Sequence, residues 1–244
     1  MTTDDLPGVD DLYAEEEEKQ QTKRTMFPFL LLGFLKGVET TADRVKPQDL
    51  MTFGRRLRYE SKSQEYAALV VGVTKEKIRD AIDRTAEAGD GVRGLAKRIN
   101  ELYDGNMGWR SLRIARSQLT ETINDGTYAT LEAEGHRTKA WSTVIDGAER
   151  DSHAAADGQE VGIHEAFRLN DGSSGLYPGD DAFPPGQKIN CRCTMVGGEE
   201  SPARARVRGR LFLRAHGALE RRYVVSLRRA FRSERDRVIS RLPS

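Results

Sequence analysis

The stretch that decides the fold runs from Trp141 to Thr194. It begins W-S-T-V-I-D-G-A-E-R-D-S-H-A-A-A-D-G-Q (141–159), continues through L-Y-P-G-D-D-A-F-P-P-G (176–186) and closes on I-N-C-R-C-T (189–194). Its many Gly, Pro and Asp residues are typical of turns. β-Branched residues at its two ends predict strands over 138–145 and 189–196. The stretch is therefore expected to form a small β-rich, loop-rich module.

The chain before this module has the apolar spacing of helices. Asp11 is a candidate cap for an acidic helix, and the apolar run at 27–38 continues as helix. Thr74 is a candidate N-cap for the next one. Further helices are predicted over 92–103 and 108–134, separated by a turn at Asp104-Gly105-Asn106. Short connections predict an antiparallel helical scaffold.

After the module, Leu219, Tyr223, Leu227 and Phe231 recur four residues apart, with Val238 further on. This spacing predicts an amphipathic helix. The fold class expected is α+β: a helical N-terminal scaffold, a small β-rich, loop-rich module and a basic C-terminal helix. The corresponding segments are a disordered acidic tail (1–10), the scaffold (11–135), the module (136–197) and a basic tail (198–244).

Charge is distributed unevenly although the formal net charge is only +1. Residues 1–18 contain eight acids and no base, whereas residues 201–244 contain thirteen Arg, no Lys and three acids. Guanidinium groups suit phosphate recognition, so the tail is a candidate for non-specific DNA contact. Contact with a protein partner, including the acidic N-terminal helix, is an equal alternative. The candidate contact residues are Arg221, Arg222, Arg228, Arg229, Arg232 and Arg235.

No membrane segment is expected. The most apolar run, at 26–35, spans ten residues and carries Pro28 and Gly33, whereas a helix crossing a bilayer needs about 20 apolar residues. The first dozen residues are acidic and do not resemble a signal peptide. The two Cys are separated by one residue, which is not a disulfide framework and favours a reducing interior.

Metal binding is one hypothesis for the module. Cys191, Cys193, His153 and His164 supply the thiolate and imidazole ligands that zinc takes, and four would complete a tetrahedral site. The spacing Cys-x-Cys departs from the usual knuckle. The alternative is that the cysteines are buried as small apolar side chains.

Catalysis is the less favoured hypothesis. Arg150, Asp151, Ser152, His153 and Asp157 include the parts of an acid–base site, but adjacent Ser and His rarely bond each other, and no G-x-S-x-G elbow is present. Such polar residues more often hydrogen-bond a tight turn. Arg150, His153 and Asp157 are expected to fasten loops to the strand that follows.

The order of these motifs resembles a known family. The quoted stretch, with Y-P-G-D (177–180) and the helix sequence I-A-R-S-Q-L-T-E-T-I-N-D-G (114–126), is similar to the phage Mu F-like family of phage head morphogenesis (minor head, or minor capsid) proteins. The resemblance covers roughly residues 74–196 and, more loosely, residues 11–40. The matching positions are Arg116, Asn124, Asp146, Arg150, His153, Gly158, Gln159, Pro178, Gly179, Asp180, Asn190, Cys191, Arg192 and Cys193.

Two departures from the family pattern stand out. Ser117-Gln118 replaces the usual Thr-Glu, so a role that needs a carboxylate there is in doubt. The C-terminal amphipathic helix looks like one that family members usually carry near the N-terminus.

The resemblance implies a non-enzymatic minor virion component without a cofactor, present in several copies. Its expected partners are the portal protein and other head components. Its expected roles are in capsid assembly and in DNA packaging or ejection. It is expected in the host cytoplasm during assembly and afterwards in the virion, in the capsid interior or at the portal vertex. The alternatives are a phage-encoded toxin-like or nucleic-acid-acting enzyme using His153, and a zinc-stapled interaction module.

Overall fold

The α+β class predicted from the sequence is confirmed by a computed structural model, which describes residues 6–200 and 202–243. The helices are α1 (Val9–Leu12), α2 (Glu15–Thr41), α3 (Pro47–Leu50), α4 (Phe53–Ala88), α5 (Gly91–Ala133), α6 (Asp151–Ala156), α7 (Pro185–Lys188) and α8 (Pro202–Ser240). The strands are β1 (Thr138–Ser142), β2 (Glu160–Gly162), β3 (Phe167–Arg168), β4 (Ser174–Gly175) and β5 (Thr194–Gly197).

The scaffold helices are longer than predicted. The predicted turn at Asp104-Gly105-Asn106 is wrong, because the two helices expected on either side of it are one helix, α5. Asp104 forms an ion pair with Arg235 at 3.0 Å, and buried side chains precede and follow Gly105 along the helix. Tertiary packing therefore outweighs the roughly 1 kcal/mol that a helical glycine costs.

The predicted helix starts are also corrected. Thr74 is not an N-cap: it lies in the middle of α4, where its hydroxyl donates to the Val70 carbonyl at 2.9 Å. Gly8 is the N-cap of α1, and the Asp11 carboxylate accepts the Gly8 N–H. Of the predicted acidic tail, residues 1–5 lie outside the described part, and Val9 and Asp10 belong to α1.

The described chain divides into two compact units that do not coincide with the consecutive predicted segments. Unit 1 comprises Met1–Pro28, Arg58–Ser111 and Tyr223–Ser244, and unit 2 comprises Phe29–Leu57 and Leu112–Arg222. The long helices α2, α4, α5 and α8 each contribute residues to both units. They have 27 to 43 residues and are therefore about 40–65 Å long.

Unit 1 is helical and buries four of the five residues of the predicted α8 stripe; the fifth, Leu219, is also buried but belongs to unit 2. Tyr223, Leu227, Phe231 and Val238 are almost fully inaccessible. Side chains of the other helices in this unit are also fully buried: Leu12, Met26, Val71, Ile78, Leu95 and Ile99. The amphipathic helix predicted for the tail is therefore confirmed as a core element of the unit.

Oppositely charged ends of the chain meet within unit 1. The Arg237 guanidinium reaches the buried Glu18 carboxylate, with Nε 2.7 Å from Oε1. Arg241 contacts Glu17 at 3.1 Å, and the Tyr13 hydroxyl donates to Glu234. Part of the basic tail thus pairs with the acidic N-terminal helix, which was one of the two alternatives for its charge.

In unit 2, α2 and α5 cross with their backbones in contact. A Cβ on Gly37 would lie 2.0 Å from the Ile123 carbonyl oxygen, and one on Gly126 would lie 2.2 Å from that of Phe34. Both positions need glycine because nothing larger than hydrogen fits. The module bonds to a different face of α5, through Arg116, Thr120 and Asn124.

The module is a three-stranded antiparallel sheet in the order β2-β1-β5, with a separate β3–β4 pair. Ala140 pairs with Val196, and Trp141 pairs with Met195. Both predicted strands exist, but each is shorter than expected, and the second forms only from Thr194 onward. The module core consists of Trp141, Ala156, Phe167, Leu169, Tyr177, Phe183, Cys191, Cys193 and Met195.

Candidate functional site

Three residues one helical turn apart on α5 hold the end of the module. Arg116, Thr120 and Asn124 are spaced four residues apart and therefore lie on one face of the helix. The Thr120 hydroxyl donates to the Cys191 carbonyl at 2.6 Å. The Arg116 guanidinium donates to Asn190 Oδ1 at 3.0 Å and pairs with Glu220 at 3.0 Å. The segment before β5 is thus fixed by side chains rather than by strand pairing.

Asn124 is the central residue of this contact. It is fully buried, and its amide donates to the carbonyls of Pro178 and Cys193 at 3.0 and 2.9 Å. Its Oδ1 accepts the Thr194 hydroxyl at 3.0 Å. One side chain therefore joins the Y-P-G-D loop and the start of β5 to α5.

Backbone conformation explains the residue types at positions 190 and 179, which lie against α5. Asn190 has φ of 62°, the left-handed region that Asn tolerates better than most residues. Its N–H donates to the Ser117 hydroxyl at 2.7 Å. Gly179 has φ of 88°, and a Cβ there would lie 3.0 Å from the Glu121 backbone nitrogen of α5. The Ser that replaces Thr in the family pattern thus still supplies a hydrogen-bonding hydroxyl.

His153, Cys191 and Cys193 converge into one buried cluster. Each offers a ligand atom, and these atoms lie within 4.8 Å of one another. The His153 Nδ1 lies 3.3 Å from the Cys193 sulfur and 3.7 Å from the Cys191 sulfur. All three side chains are at most 3% exposed. The second imidazole nitrogen, Nε2, has no hydrogen-bond partner among the described residues.

The two thiols differ in acidity. Hydrogen bonds from Cys191 and His153 lower the pKa of Cys193 to about 5, against the opposing effect of its burial. The Cys193 sulfur and burial raise the pKa of Cys191 well above its ordinary value.

Neighbouring residues fix the cluster from both sides. The His153 carbonyl accepts the Thr143 hydroxyl at 2.7 Å, and Thr143 in turn accepts the Trp141 indole N–H at 3.0 Å. The His153 ring packs edge-to-face on Trp141 at 5.5 Å between centroids. The Asp157 carboxylate accepts the Thr143 N–H at 2.7 Å. The short helix α6 is thereby held against β1.

The charged residues around the cluster bind loops. The Arg150 guanidinium donates to the Ile189 carbonyl at 2.6 Å. Arg192 forms a bidentate pair with Asp146, with Nη2 2.7 Å from Oδ1. Arg192 holds the pKa of the Asp146 carboxyl below its ordinary value. The sequence predicted that Arg150, His153 and Asp157 fasten loops to a strand ending at Cys193. Arg150 and His153 do contact this segment, although it is not a strand, whereas the Asp157 carboxylate bonds Thr143 after β1.

His164 does not join the cluster, so the predicted four-ligand set is wrong. Its Nδ1 lies 3.4 Å from the Tyr128 hydroxyl and 3.7 Å from the Glu132 carboxylate. The sequence places His153 and His164 in one run, but β2 lies between them and carries His164 towards the end of α5.

The remaining predicted residues make turns. Gly158 has φ of 76° and donates its N–H to the Trp141 carbonyl. The Gln159 amide pairs in both directions with the backbone of Arg168, at 2.8 and 2.9 Å. The Asp180 carboxylate accepts the N–H groups of Leu176 and Ala182. Each therefore supports the shape of the module.

Sequence reasoning missed two buried polar residues. Thr120 could have been found from its spacing, since it lies midway between Arg116 and Asn124. Lys139 could not, because a charged residue in a strand is expected to face solvent. It is fully buried, donates to the Ile163 carbonyl at 2.7 Å and lies over the Tyr128 ring. Burial lowers its pKa to about 8.

The arginines proposed for DNA or partner contact differ in exposure. Arg221 and Arg222 in unit 2 and Arg228, Arg229 and Arg232 in unit 1 are exposed. Arg235 is partly buried and pairs with Asp104 and Asp236. Among the described helices, none has a stretch apolar and long enough to cross a bilayer.

Comparison with known proteins identifies a family that matches the segment containing this site. The model of the family described as "Phage Mu protein F like protein" matches residues 76–196. An uncharacterized protein of Haemophilus influenzae is 30% identical over 121 residues, which are 50% of this chain and 24% of that protein. The chain thus spans about a quarter of that relative's length. No solved structure matches the chain. The matched residues begin in α4, include the α5 face with Arg116 and Asn124, and end in β5. Through this segment the chain belongs to the phage Mu F-like family of phage head morphogenesis proteins.

Proposed function

We propose that this protein is a non-enzymatic minor head protein that associates with the portal and assists capsid assembly and DNA packaging or delivery. The proposal is supported by the observation that residues shared with the family make contacts within the module. Asn124, Arg150 and Arg192 bond to loops of the same module. His153 is 2% exposed, and its ring faces two sulfurs. The shared residues thus build a stable interaction module, which suits a protein that assembles with others.

Portal association is tested by expression together with the portal and major capsid proteins of the same phage genome. In a density gradient, the protein should sediment with portal rings or procapsids, and mass spectrometry should find it in purified particles. Sedimentation as a free monomer in both preparations, together with absence from particles, would contradict the proposal.

Non-specific DNA contact is a second role supported by the exposed arginines of α8. Arg228, Arg229 and Arg232 lie within five residues of one helix and are exposed to solvent. Each phosphate neutralised releases counterions, so the slope of log affinity against log salt changes by about 0.9 per contact on duplex DNA. Replacing all three by Gln should weaken binding and flatten this slope by up to about three.

The matched control removes three exposed arginines elsewhere in unit 1, at Arg79, Arg84 and Arg93. It changes net charge by the same amount. Equal losses in the two triple variants would show that only overall charge matters, and DNA binding that does not respond to salt would refute phosphate contact.

A further inference from the structure

The cluster of His153, Cys191 and Cys193 has the composition and geometry of a metal site, and we infer that it binds one zinc ion through the His153 Nδ1 and both thiolates. This inference goes beyond the assembly role and does not depend on it. It replaces the four-residue set expected from the sequence with three residues.

The distances between the donor atoms match those of a zinc site. In tetrahedral zinc sites the Zn–S and Zn–N bonds are about 2.3 and 2.0 Å. Two such ligands are then separated by roughly 3.5–3.8 Å, from these bond lengths and the tetrahedral angle. The observed separations from Nδ1 to the two sulfurs are 3.3 and 3.7 Å. The nitrogen–sulfur separations therefore fit a bound ion to within a few tenths of an ångström, and the two sulfurs lie within 4.8 Å of each other.

Contacts within the chain hold the three ligands in place before any metal binds. Thr120 and Asn124 fix the carbonyls of Cys191 and Cys193 from α5. The His153 carbonyl is fixed by Thr143, and its ring is packed on Trp141. Ligands that are already ordered lose little conformational freedom on binding. The site is thus organised by contacts independent of the metal.

The chemistry of the donor atoms indicates which metal the site binds. Two thiolates and one imidazole are soft to borderline donors, which disfavour magnesium and calcium and favour zinc. Binding requires both thiols to lose their protons, so it releases protons to solvent. A neutral imidazole bound through Nδ1 retains its proton on Nε2. Three protein ligands leave a fourth position for a solvent oxygen.

The consequence is a link between separate parts of the module. His153 lies on α6, whereas Cys191 and Cys193 lie just before β5, almost 40 residues later in the chain. An ion bound by all three joins these elements to each other and, through Thr120 and Asn124, to α5. Zinc binding should therefore stabilise the folded module, because the ligands are dispersed in the unfolded chain.

The test uses the full chain, purified under reducing conditions, stripped with a chelator and then titrated with zinc sulfate. One equivalent should bind, and the melting temperature should rise. Cobalt in place of zinc should give visible absorption and a thiolate-to-cobalt charge-transfer band. Cys191→Ser should lower zinc affinity by more than the roughly 10–100-fold that removal of an outer-shell partner costs.

The control is His164→Gln, which removes an imidazole of the same module outside the cluster and should leave zinc stoichiometry and affinity unchanged. The wild-type titration and the cobalt spectrum keep the test decisive if Cys191→Ser does not fold. The inference is wrong if the reduced wild-type chain binds no zinc, if cobalt gives no charge-transfer band, or if His164→Gln weakens binding as much as Cys191→Ser.

Discussion

Replacement of Asn124 by Ala should uncouple the module from α5. The Asn124 side chain is fully buried and makes three hydrogen bonds, of 3.0, 2.9 and 3.0 Å. Ala leaves two carbonyls and one hydroxyl without this partner. Each unsatisfied buried group costs about 1–3 kcal/mol, so the expected loss is about 3–5 kcal/mol. That is a large part of the total stability of an ordinary domain, about 5–15 kcal/mol.

Chemical denaturation followed by tryptophan fluorescence measures this loss. The chain has two Trp, and a Trp109→Phe background leaves Trp141, which is 2% exposed in the module core, as the reporter. Thr194→Val is the matched comparison, because it removes only one of the three hydrogen bonds and should cost about 1–2 kcal/mol. Asn124→Asp keeps the acceptor for Thr194 but turns a carboxylate oxygen towards two carbonyls, so it should be at least as destabilising as Ala.

Two outcomes would refute this reasoning. The first is an Asn124→Ala variant whose free energy of unfolding lies within about 1 kcal/mol of the wild type, since the three bonds would then contribute little. The second is a Thr194→Val variant that loses as much stability as Asn124→Ala, because the two carbonyl contacts would then be irrelevant.

Two further predictions concern the scaffold. Gly126→Ala should destabilise the protein by about 1–3 kcal/mol or more, because its Cβ would lie 2.2 Å from the Phe34 carbonyl oxygen where α2 and α5 cross. Gly72→Ala has open space around its Cβ and should stabilise the protein by about 0.5–1 kcal/mol. Equal effects of the two substitutions in thermal denaturation would count against the close crossing. Burial raises the pKa of Glu234 to about 7, so the folded chain holds this proton more tightly than the unfolded chain. The free energy of unfolding should therefore fall by about 3 kcal/mol as pH rises from about 4.5 to 7. Denaturation curves of Glu234→Gln at several pH values should lack this fall, and a pH dependence equal to that of the wild type would contradict the raised pKa.

The sequence alone indicated the fold class, the family and the richness in turns of residues 141–194. Gly147 and Gly158 in this segment both have positive φ, a conformation that glycine adopts readily. The stripe from Leu219 to Val238 follows from helical periodicity. The order of the motifs between Arg116 and Cys193 indicated the family without knowledge of any contact. Periodicity and turn chemistry are local properties, and local properties can be read from a chain.

The features that were not predicted correctly from the sequence depend on contacts between residues far apart in the chain. The Asp104-Gly105-Asn106 segment has the composition of a turn, yet it is helical and pairs with Arg235, 131 residues away. His164 has the chemistry of a zinc ligand, but β2 carries it to Glu132 instead. Lys139 is buried because a carbonyl and two aromatic rings surround its ammonium group.

For the Trp141–Thr194 stretch, the sequence determined which chemical groups are present, and the tertiary structure decided which of them meet. His153 and the two cysteines are drawn together because α5 holds the backbone before β5 through Thr120 and Asn124, while Trp141 and Thr143 fix α6. Residue type is a property of the chain, whereas a distance of 3.3 Å between an imidazole and a sulfur arises only when separate elements pack against a common helix.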